Sequence, residues 1–386
     1  MSNIRLAWLA THPIQYQSPL LREIAQTPGI DLTAVFFSDF STRNYVDEEF
    51  GHELEWDTPL LDGFNHIFLP GDGASVNSVS FFSPRIKQLD KVLNRDNFDA
   101  VLIQGWNHYG YVLAALRAKK EGLKVLLRCE ATDHVEGSAG LKGFVRQLLV
   151  KLLLSRVDKF LAIGTRNRQF YESRGIPEEK IGSMPYCVDN DYFRRLAENS
   201  NKEEIRRELQ LEKGRPVILY ASKLTTRKYA DLLLSAYGKM QDPKPYLLVV
   251  GDGELMPRLK EMTEEMELSD VRFLGFRNQS ELPAYYSLAD VFVLPSVNET
   301  WGLVVNEAMN AGCAIIVTDQ VGSGSDLVRD GINGFVIPPA DEGALVGALE
   351  SCIKEDKYIE MGRQSMEIIK TWGIPENISG LRSGLV

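Results

Sequence analysis

The sequence has few cysteines and no long apolar segment, and both features exclude whole classes of protein. Its 4 cysteines are widely separated and include no Cys-x-x-Cys pair, which argues against a zinc site or a disulfide framework. No stretch reaches the roughly 18 apolar residues that a membrane-spanning helix needs. Residues 1–11 lack the charged, then apolar, then small-residue layout of a signal peptide. We therefore expect a cytoplasmic protein with buried thiols.

The sequence contains no low-complexity segment and no short-period repeat. A chain of 386 residues with 44% hydrophobic and 25% charged residues is an ordinary globular sequence whose length suits two domains. Its net charge of −10 argues against a nucleic-acid partner, because such proteins carry basic surfaces.

Short apolar runs alternate with helical patterns in two sets, which predicts parallel α/β sheets with both faces covered. A polar, charged stretch from Arg194 to Arg215 separates the sets, and we place a domain boundary there. The predicted strands are Leu6–Leu9, Leu32–Phe37, Ala100–Ile103, Val125–Leu127 and Phe160–Ile163 in the first set, and Val217–Tyr220, Tyr246–Val250, Val271–Leu274, Val291–Leu294, Ala314–Val317 and Gly334–Ile337 in the second.

Glu299 and Glu307 lie on either side of the predicted start of a helix, at Gly302-Leu303-Val304. The free N–H groups and positive dipole end of a helix start suit a diphosphate. We expect Glu307 in the first helical turn and Glu299 in the preceding loop. Since eight helical residues span roughly 12 Å, the two carboxylates can accept bonds from hydroxyls at different ends of one ligand. This pattern indicates a nucleotide-activated sugar; a capped amphipathic helix with two surface glutamates is the alternative.

Further motifs accompany the two glutamates. They are Cys187-Val188-Asp189 followed by Phe193, Val249–Glu254, Phe273–Phe276, Glu307–Gly312, Ile315–Asp319 and Asp330–Phe335. With these motifs the chain resembles the family-4 retaining glycosyltransferases. The resemblance is strong from about Asp158 to Leu349 and weaker over the first 130 residues.

The resemblance implies an α/β fold of GT-B architecture, in which two Rossmann-like domains face each other across a cleft. It implies an acceptor-binding domain at 1–195, a donor-binding domain at 196–370 and a C-terminal segment, 371–386, that crosses back to the first domain. The implied activity is retaining, metal-independent hexosyl transfer in glycan, glycolipid or polysaccharide biosynthesis. The donor is a nucleotide-diphosphate sugar, with UDP- or GDP-sugars expected, and no further cofactor is needed. The acceptor is a hydroxyl on a saccharide, a lipid-linked molecule or a protein.

Two other classes of function stay open. One is a catalytically silent GT-B scaffold or sugar-nucleotide-binding module. The other is a GT-B epimerase or phosphorylase.

The loop after the strand Val217–Tyr220 carries the predicted diphosphate cations. By the resemblance, Lys223 stands where relatives have an arginine and Lys228 where they have a lysine, while Tyr229 replaces a glycine. Lysine for arginine keeps the charge but loses the bidentate fork. A basic loop on a solvated surface is the alternative. The other donor contacts that we predict are Gly251, Phe276, Arg277, Trp301, Gly302, Leu303 and Val304, with Glu299 on the donor sugar and Glu307 on the ribose.

Polar residues after the N-terminal strands are candidates for catalysis and acceptor binding. Glu130 stands where many relatives have a histidine near the reacting sugar, so the resemblance implies a catalytic role for it beside Lys228 and Glu299. A partly buried carboxylate paired with Arg128 or Arg146 is the alternative. The candidate acceptor contacts are His12, Asn107, His108, Asp133 and His134. For His12, the alternative is a helix cap. For Asn107 and His108, the alternative is a tight loop packed on Trp106.

Asp189-Asn190-Asp191 has the Asp-x-Asp form of metal-dependent glycosyltransferases. It lies far in sequence from Lys223 and Glu299, and Asp and Asn readily bond their local backbone. We therefore predict a turn here and no metal site.

The segment 141–174 is basic within an acidic chain, with eight Lys or Arg against two Asp or Glu. Its central part, Phe144–Leu154, is apolar around most of the helical wheel, which predicts a buried core helix with a basic rim. Peripheral docking of this segment on an anionic membrane surface, at the inner face of the membrane, is the alternative.

Overall fold

The computed structural model describes residues 3–47, 52–73, 79–132 and 141–386, with the backbone alone at 45–47, 52–54 and 141–144. Asp133 and His134, two candidate acceptor contacts, lie outside the described residues. The chain divides into two compact units. The first comprises Met1–Val46, Glu53–Tyr186 and Ile374–Val386, and the second Asp47–His52 and Cys187–Gly373.

The first unit is built on a seven-stranded parallel sheet. The strands of this sheet are β1 (Ile4–Ala10), β2 (Ile30–Phe36), β5 (Asn65–Phe68), β6 (Ala100–Gln104), β7 (Lys124–Arg128), β8 (Lys159–Ala162) and β9 (Ile181–Ser183). Between β2 and β5 the chain forms β3 (Tyr45–Asp47) and β4 (His52–Leu54). Strands β3 and β4 form a separate pair, and the order in the sheet is β5-β2-β1-β6-β7-β8-β9. Each neighbouring pair in this sheet is parallel, so the carboxyl ends of its strands share one edge.

The second unit contains a six-stranded parallel sheet. Its strands are β10 (Val217–Ala221), β11 (Tyr246–Val250), β12 (Val271–Gly275), β13 (Val291–Leu294), β14 (Ala314–Thr318) and β15 (Gly334–Ile337). They lie in the order β12-β11-β10-β13-β14-β15, and all their pairings are parallel. The chain therefore starts in the middle of each sheet and extends it toward both edges.

Helices cover the two sheets. They are α1 (Ser18–Gln26), α2 (Leu89–Val92), α3 (Tyr109–Lys120), α4 (Leu141–Leu154), α5 (Thr165–Ser173), α6 (Asn190–Glu198), α7 (Lys202–Glu208), α8 (Ala230–Gly238), α9 (Met256–Glu265), α10 (Leu282–Leu288), α11 (Leu303–Asn310), α12 (Gly324–Leu327), α13 (Glu342–Ile353), α14 (Lys357–Ile369) and α15 (Ile374–Leu385). Single 3-10 turns occur at Phe40–Thr42, Glu178–Lys180, Thr226–Lys228 and Lys354–Asp356. None of the helices in the described ranges has the length and apolar character that a bilayer crossing requires.

The strand β1 shows why apolar runs identify these sheets. Side chains alternate across a strand, and here both sides are buried. Ala7 and Leu9 belong to one apolar core of the first unit, and Leu6, Trp8 and Ala10 to the core on the other face. Because both faces are covered, the strand reads as a continuous apolar run. The predicted α/β fold with two parallel sheets is thereby confirmed.

The helix α4 differs from its prediction. Leu153 is fully buried in the core of the first unit, but Val145 and Leu148 are exposed, Leu148 to 53%. The helix packs on α3 and on one apolar core of the unit, so only its inward side is covered. For the described side chains, 145–154, the prediction of a buried core helix is wrong.

Candidate functional site

Four neighbouring strands of the second unit end at the edge where the predicted donor residues lie. The loop after β10 carries Lys223 and Lys228, and the loop after β13 carries Glu299. Gly251 follows β11, and Phe276 follows β12. Since β12, β11, β10 and β13 are consecutive in the sheet, their carboxyl ends converge at one place. Ligands of open α/β sheets bind at such an edge.

Lys228 and Glu299 form the charged centre of this edge. The Lys228 ammonium donates to Glu299 Oε2, and the Arg227 guanidinium lies 3.6 Å from the same oxygen. Lys228 is 7% exposed. The backbone N–H of Val297 donates to the Arg227 carbonyl at 2.9 Å and joins the two loops. Two loops from separate strands thus hold two cations around one carboxylate.

The backbone around Glu299 is fixed by the segment that follows β14. The Glu299 N–H donates to the Gln320 carbonyl at 3.2 Å, and the Gly322 N–H donates to the Glu299 carbonyl at 2.9 Å. Tyr229 stands where the resemblance implies a glycine, and it adopts a left-handed conformation with φ of 53°. A bulky residue is strained in this conformation, whereas a glycine would adopt it without strain.

The helix α11 begins at Leu303, where the sequence predicts it. Gly302 precedes it with φ of 88°, a left-handed conformation that glycine adopts without strain. A glycine has no side chain to cap the helix, so the first-turn N–H groups are not bonded to a cap side chain. A helix start of this kind attracts anions through its N–H groups and its dipole.

Glu307 lies one turn deeper in α11 than predicted. It is the fifth residue of the helix and therefore lies beyond the first turn of 3.6 residues, so the expectation of a first-turn position is wrong. The residue is 8% exposed, and its Oε2 accepts a 2.7 Å bond from the hydroxyl of Tyr286 in α10. Burial raises the pKa of Glu307 to about 7, and the bond from Tyr286 partly offsets this rise.

The raised pKa of Glu307 predicts that the free energy of unfolding falls as pH rises from about 4.5 to about 7. In this interval the folded chain retains a proton that the unfolded chain releases, so the slope is negative. The total change from this one group is about 3 kcal/mol. Urea unfolding of wild type and Glu307→Gln at pH 5 and pH 8 measures it, since the amide does not titrate. Glu264→Gln, at an exposed position in α9, is the control.

The stability of wild type relative to Glu307→Gln should therefore drop between the two pH values, whereas its stability relative to Glu264→Gln should show no such drop. A difference between wild type and Glu307→Gln that does not change with pH would contradict the buried carboxyl.

Other predicted donor residues hold the loops in shape. The indole of Trp301 is 2% exposed, lies 5.5 Å from the Trp372 ring and donates to Asn306 Oδ1 at 2.9 Å. Its side chain therefore packs inside the unit and is not presented to a ligand. A Cβ at Gly251 would clash with the Ser222 carbonyl, so this position needs a glycine.

The loops after β10 and β12 present further predicted contacts. Lys223 is partly exposed, and its carbonyl accepts a 3.3 Å bond from the Tyr220 hydroxyl. The guanidinium of Arg277 bonds the Glu281 carboxylate at 3.1 Å and lies 5.5 Å from the Tyr285 ring. Both residues thus lie at the edge where the sequence places them.

At the corresponding edge of the first unit, Glu130 follows β7 and is exposed. Its Oε1 accepts a bond from the Tyr186 hydroxyl, and the Tyr16 hydroxyl lies 3.3 Å away. Arg128, a partner considered from the sequence, is buried with its guanidinium 4.9 Å from the Tyr186 ring. Arg146, the other partner considered, lies over the Phe81 ring at 5.9 Å.

His108 is a structural residue, and its prediction as an acceptor contact is wrong. The side chain is fully buried at the start of α3, where Nδ1 accepts from the Gly110 N–H at 3.0 Å and Nε2 lies 2.9 Å from the Pro84 carbonyl. With both ring nitrogens bonded in the core, it cannot reach a ligand. Burial lowers its pKa to about 4. Asn107, by contrast, is exposed at the same loop.

His12 follows β1 and is partly buried. Its Nδ1 lies 2.9 Å from Thr11 Oγ1, and its ring is 4.3 Å from that of Phe40. It does not cap the next helix, because the cap position of α1 is Gln17. Burial lowers the pKa of His12 to about 4, so the ring is neutral at physiological pH.

The Asp-x-Asp segment is a helix cap. The Asp189 side chain accepts from the Tyr192 N–H at 2.9 Å at the start of α6, and the Asp191 side chain is 97% exposed. The predicted bonding of Asp189 to its local backbone is therefore confirmed, but the segment begins a helix and is not a turn. Within the ranges that the structure describes, no group of three His, Cys, Asp or Glu side chains has a metal-binding arrangement.

Four contacting residues were missed from the sequence: Arg227, Tyr286, Tyr186 and Tyr16. Arg227 adjoins Lys228, and its second positive charge in the same turn was a usable signal. Tyr286 and Tyr186 lie 21 and 56 positions from the glutamates that they bond. No local pattern indicates such partners, since only the fold brings them together.

The donor edge lies in a segment with recognisable relatives. Residues 201–367 match the family model of glycosyl transferases group 1. This group 1 segment contains all the candidate donor residues. Alpha-D-kanosaminyltransferase of Streptomyces kanamyceticus is 26% identical over 188 residues, which cover 48% of each chain. A GDP-mannose-dependent alpha-(1-6)-phosphatidylinositol monomannoside mannosyltransferase of Mycobacterium tuberculosis is 28% identical over 222 residues, 55% of this chain and 56% of that protein.

The chain thus spans about half the length of these curated relatives. The fold is similar over its whole length to the structure of HepE from Anabaena in complex with UDP, with a TM-score of 0.74, 16% identity and 99% of both chains covered. That likeness shows the two-domain GT-B fold.

Proposed function

We propose that the protein is a retaining, metal-independent glycosyltransferase that moves a hexosyl group from a nucleotide-diphosphate sugar to a hydroxyl acceptor. The observation that carries the proposal is the pair of Lys228 and Glu299 at the sheet edge that also contains the start of α11. Cations and free helix N–H groups suit a diphosphate, and carboxylates suit sugar hydroxyls. The second unit is the donor-binding unit, and the first binds the acceptor.

The proposed reaction is a front-face displacement in which the departing diphosphate helps to deprotonate the incoming hydroxyl. Lys223, Lys228 and the N–H groups at the start of α11 stabilise the negative charge on the leaving group, usually the largest catalytic effect of this kind. Glu299 holds hydroxyls of the donor sugar and Glu307 those of the ribose. Glu130 stabilises the positive charge that develops at the anomeric carbon.

A UDP- or GDP-sugar is the proposed donor. Two findings on similar proteins support it: the mannosyltransferase relative is named for GDP-mannose, and the HepE structure holds UDP. The proposed acceptor is a hydroxyl on a saccharide, a lipid-linked molecule or a protein.

A thermal-shift screen over UDP-, GDP-, ADP- and TDP-sugars tests the proposal. A ligand at 100 times its dissociation constant adds about 2.7 kcal/mol of stability, which raises the melting temperature measurably. We expect a shift with at least one donor, and a smaller shift for Lys228→Ala. Lys260→Ala, at an exposed position in α9, should respond like wild type. A screen in which no nucleotide sugar shifts the melting temperature would refute donor binding.

Slow hydrolysis of the same donors separates the transferase from the silent scaffold and the binding module. A transferase releases free nucleotide diphosphate slowly in the absence of acceptor, whereas a binding module does not. An epimerase would instead convert the sugar and keep its bond to the nucleotide. Chromatography of the nucleotide products distinguishes the three outcomes.

Removal of divalent cations is expected to leave activity unchanged. The charge of the diphosphate is assigned to lysines and to a helix start, so excess EDTA should alter neither donor hydrolysis nor transfer. The measurement is release of nucleotide diphosphate with EDTA, then with Mn²⁺ or Mg²⁺ restored. If EDTA abolished activity and a metal restored it, metal-independent transfer would be wrong.

A further inference from the structure

Tyr16 and Tyr186, from two other segments of the chain, contact the Glu130 carboxylate. Tyr16 lies between β1 and α1, Tyr186 follows β9, and Glu130 follows β7. The two tyrosine rings meet edge to face with centroids 5.5 Å apart, and their hydroxyls lie 2.7 Å apart. Three separate chain segments thus bring three oxygens together at the carboxyl edge of the sheet in the first unit.

The hydrogen bonds of this cluster have a defined donor and acceptor. Tyr186 donates to Glu130 Oε1, and the Tyr16 hydroxyl lies within reach of both the Tyr186 oxygen and the same carboxylate oxygen. A carboxylate can only accept, so the two hydroxyl protons point toward Glu130. Burial, then the charge of Glu130, raises the pKa of both tyrosines well above the ordinary value. Both hydroxyls therefore remain donors at physiological pH.

The segment that carries Tyr186 is itself anchored. The buried guanidinium of Arg128 donates to the carbonyls of Met184 and Pro185 at 3.2 and 3.1 Å, and to Asn377 Oδ1 in α15 at 3.2 Å. It also lies against the Tyr186 ring. An exposed glutamate on a loop ordinarily rotates freely and loses entropy when it is ordered. Here the core of the unit fixes one of its oxygens.

We propose that Tyr186 and Tyr16 are positioning residues that hold the Glu130 carboxylate in one orientation for its proposed catalytic role. The proposal rests on the proposed function, because it assigns the residues that set the geometry of that site. Tyr186 contributes most, since it donates directly. Tyr16 contributes less, since its hydroxyl donates to the same carboxylate oxygen over the longer distance of 3.3 Å.

Kinetics of Tyr186→Phe and Tyr16→Phe, with UDP-glucose and GDP-mannose as probes, tests the assignment. We expect Tyr186→Phe to lower kcat for donor hydrolysis roughly ten-fold, with a smaller loss in Tyr16→Phe. The affinity for UDP or GDP should not change, because the second unit binds the nucleotide. In a Glu130→Gln background, either tyrosine substitution should cause no further loss of kcat, as double-mutant cycles require of residues that act through Glu130.

Tyr171→Phe is the matched control. It removes an equally buried hydroxyl that lies 3.1 Å from Cys129 Sγ, next to Glu130 in the chain, and should leave kcat unchanged. Melting temperatures show whether each variant folds, and Tyr16→Phe carries the test if Tyr186→Phe does not.

Equal losses of kcat in the wild-type and Glu130→Gln backgrounds would overturn the proposal, since the tyrosines would then act independently of Glu130. An unchanged kcat in both single variants would also overturn it, with donor binding and the proposed function intact. Absence of nucleotide binding and hydrolysis in wild type would instead overturn the proposed function, and this inference with it.

Discussion

Replacing Lys228 with alanine is expected to reduce sugar transfer by roughly a hundred- to a thousand-fold, the usual effect of removing one donor that stabilises developing negative charge. Lys228 is the cation that the structure buries at the donor edge, on Glu299 Oε2. In the proposed reaction its charge neutralises the departing diphosphate. The affinity for free nucleotide diphosphate should fall as well, because the charge is also present in the bound state.

Turnover with saturating donor, together with calorimetric titration of the nucleotide diphosphate, measures both effects. Lys228→Arg keeps the positive charge and should retain part of the turnover, whereas Lys260→Ala removes a charge from an exposed helix and should behave like wild type. Glu299 keeps Arg227 as a partner 3.6 Å away, which limits the loss of stability in Lys228→Ala. Unchanged turnover and unchanged affinity in this variant would refute the diphosphate role of the loop after β10.

Substitution of the two glutamates should affect different parts of the donor. At pH 8, above its pKa of about 7, Glu307 is a charged acceptor. Glu307→Gln replaces it with an amide, so ribose binding at this pH should weaken for both free nucleotide and intact donor. Hydrogen bonds to charged groups contribute about 1.5–3 kcal/mol, which corresponds to roughly a ten- to a hundred-fold loss of affinity. Glu299→Gln should weaken binding of the intact donor and lower turnover, since its carboxylate is assigned to the sugar.

The structure adds a reason why Glu299→Gln spares the free nucleotide. Glu299 accepts from Lys228 and lies near Arg227, so loss of its charge leaves both cations available to a diphosphate. Calorimetry of each variant with free diphosphate and with intact donor decides the matter, with Glu264→Gln as the control for an exposed charge. If both substitutions weakened free nucleotide equally, the division of roles between the glutamates would be wrong.

The strands were predictable because the sheets are covered on both faces. A strand buried on both sides is a continuous apolar run. Each predicted run overlaps a strand whose ends differ by at most two residues from the prediction. The edge strands β5 and β9 were missed. Asn65-His66-Ile67 of β5 is exposed, and β9 has three residues, so neither forms an apolar run.

Prediction from composition failed where burial depends on neighbours. The helix α4 is apolar on most sides, yet Val145 and Leu148 are exposed because the unit packs against only the inward side of the helix. His108 looked like a ligand contact, yet it caps α3 from inside the core. In both cases the burial of the side chain depends on parts of the chain that are distant in sequence, so the local sequence could not predict it.

The sequence by itself determined the two parallel sheets, the start of α11 and the positions of the donor candidates at strand ends. Such features follow from apolar periodicity, from glycine at a helix start and from short-range spacing, all of which are local. Only the tertiary structure decided which side chains meet: Lys228 with Glu299, Tyr286 with Glu307, and the tyrosines with Glu130. Partners 71, 21 and 56 positions apart are joined by the order of strands and by packing, which no local pattern encodes.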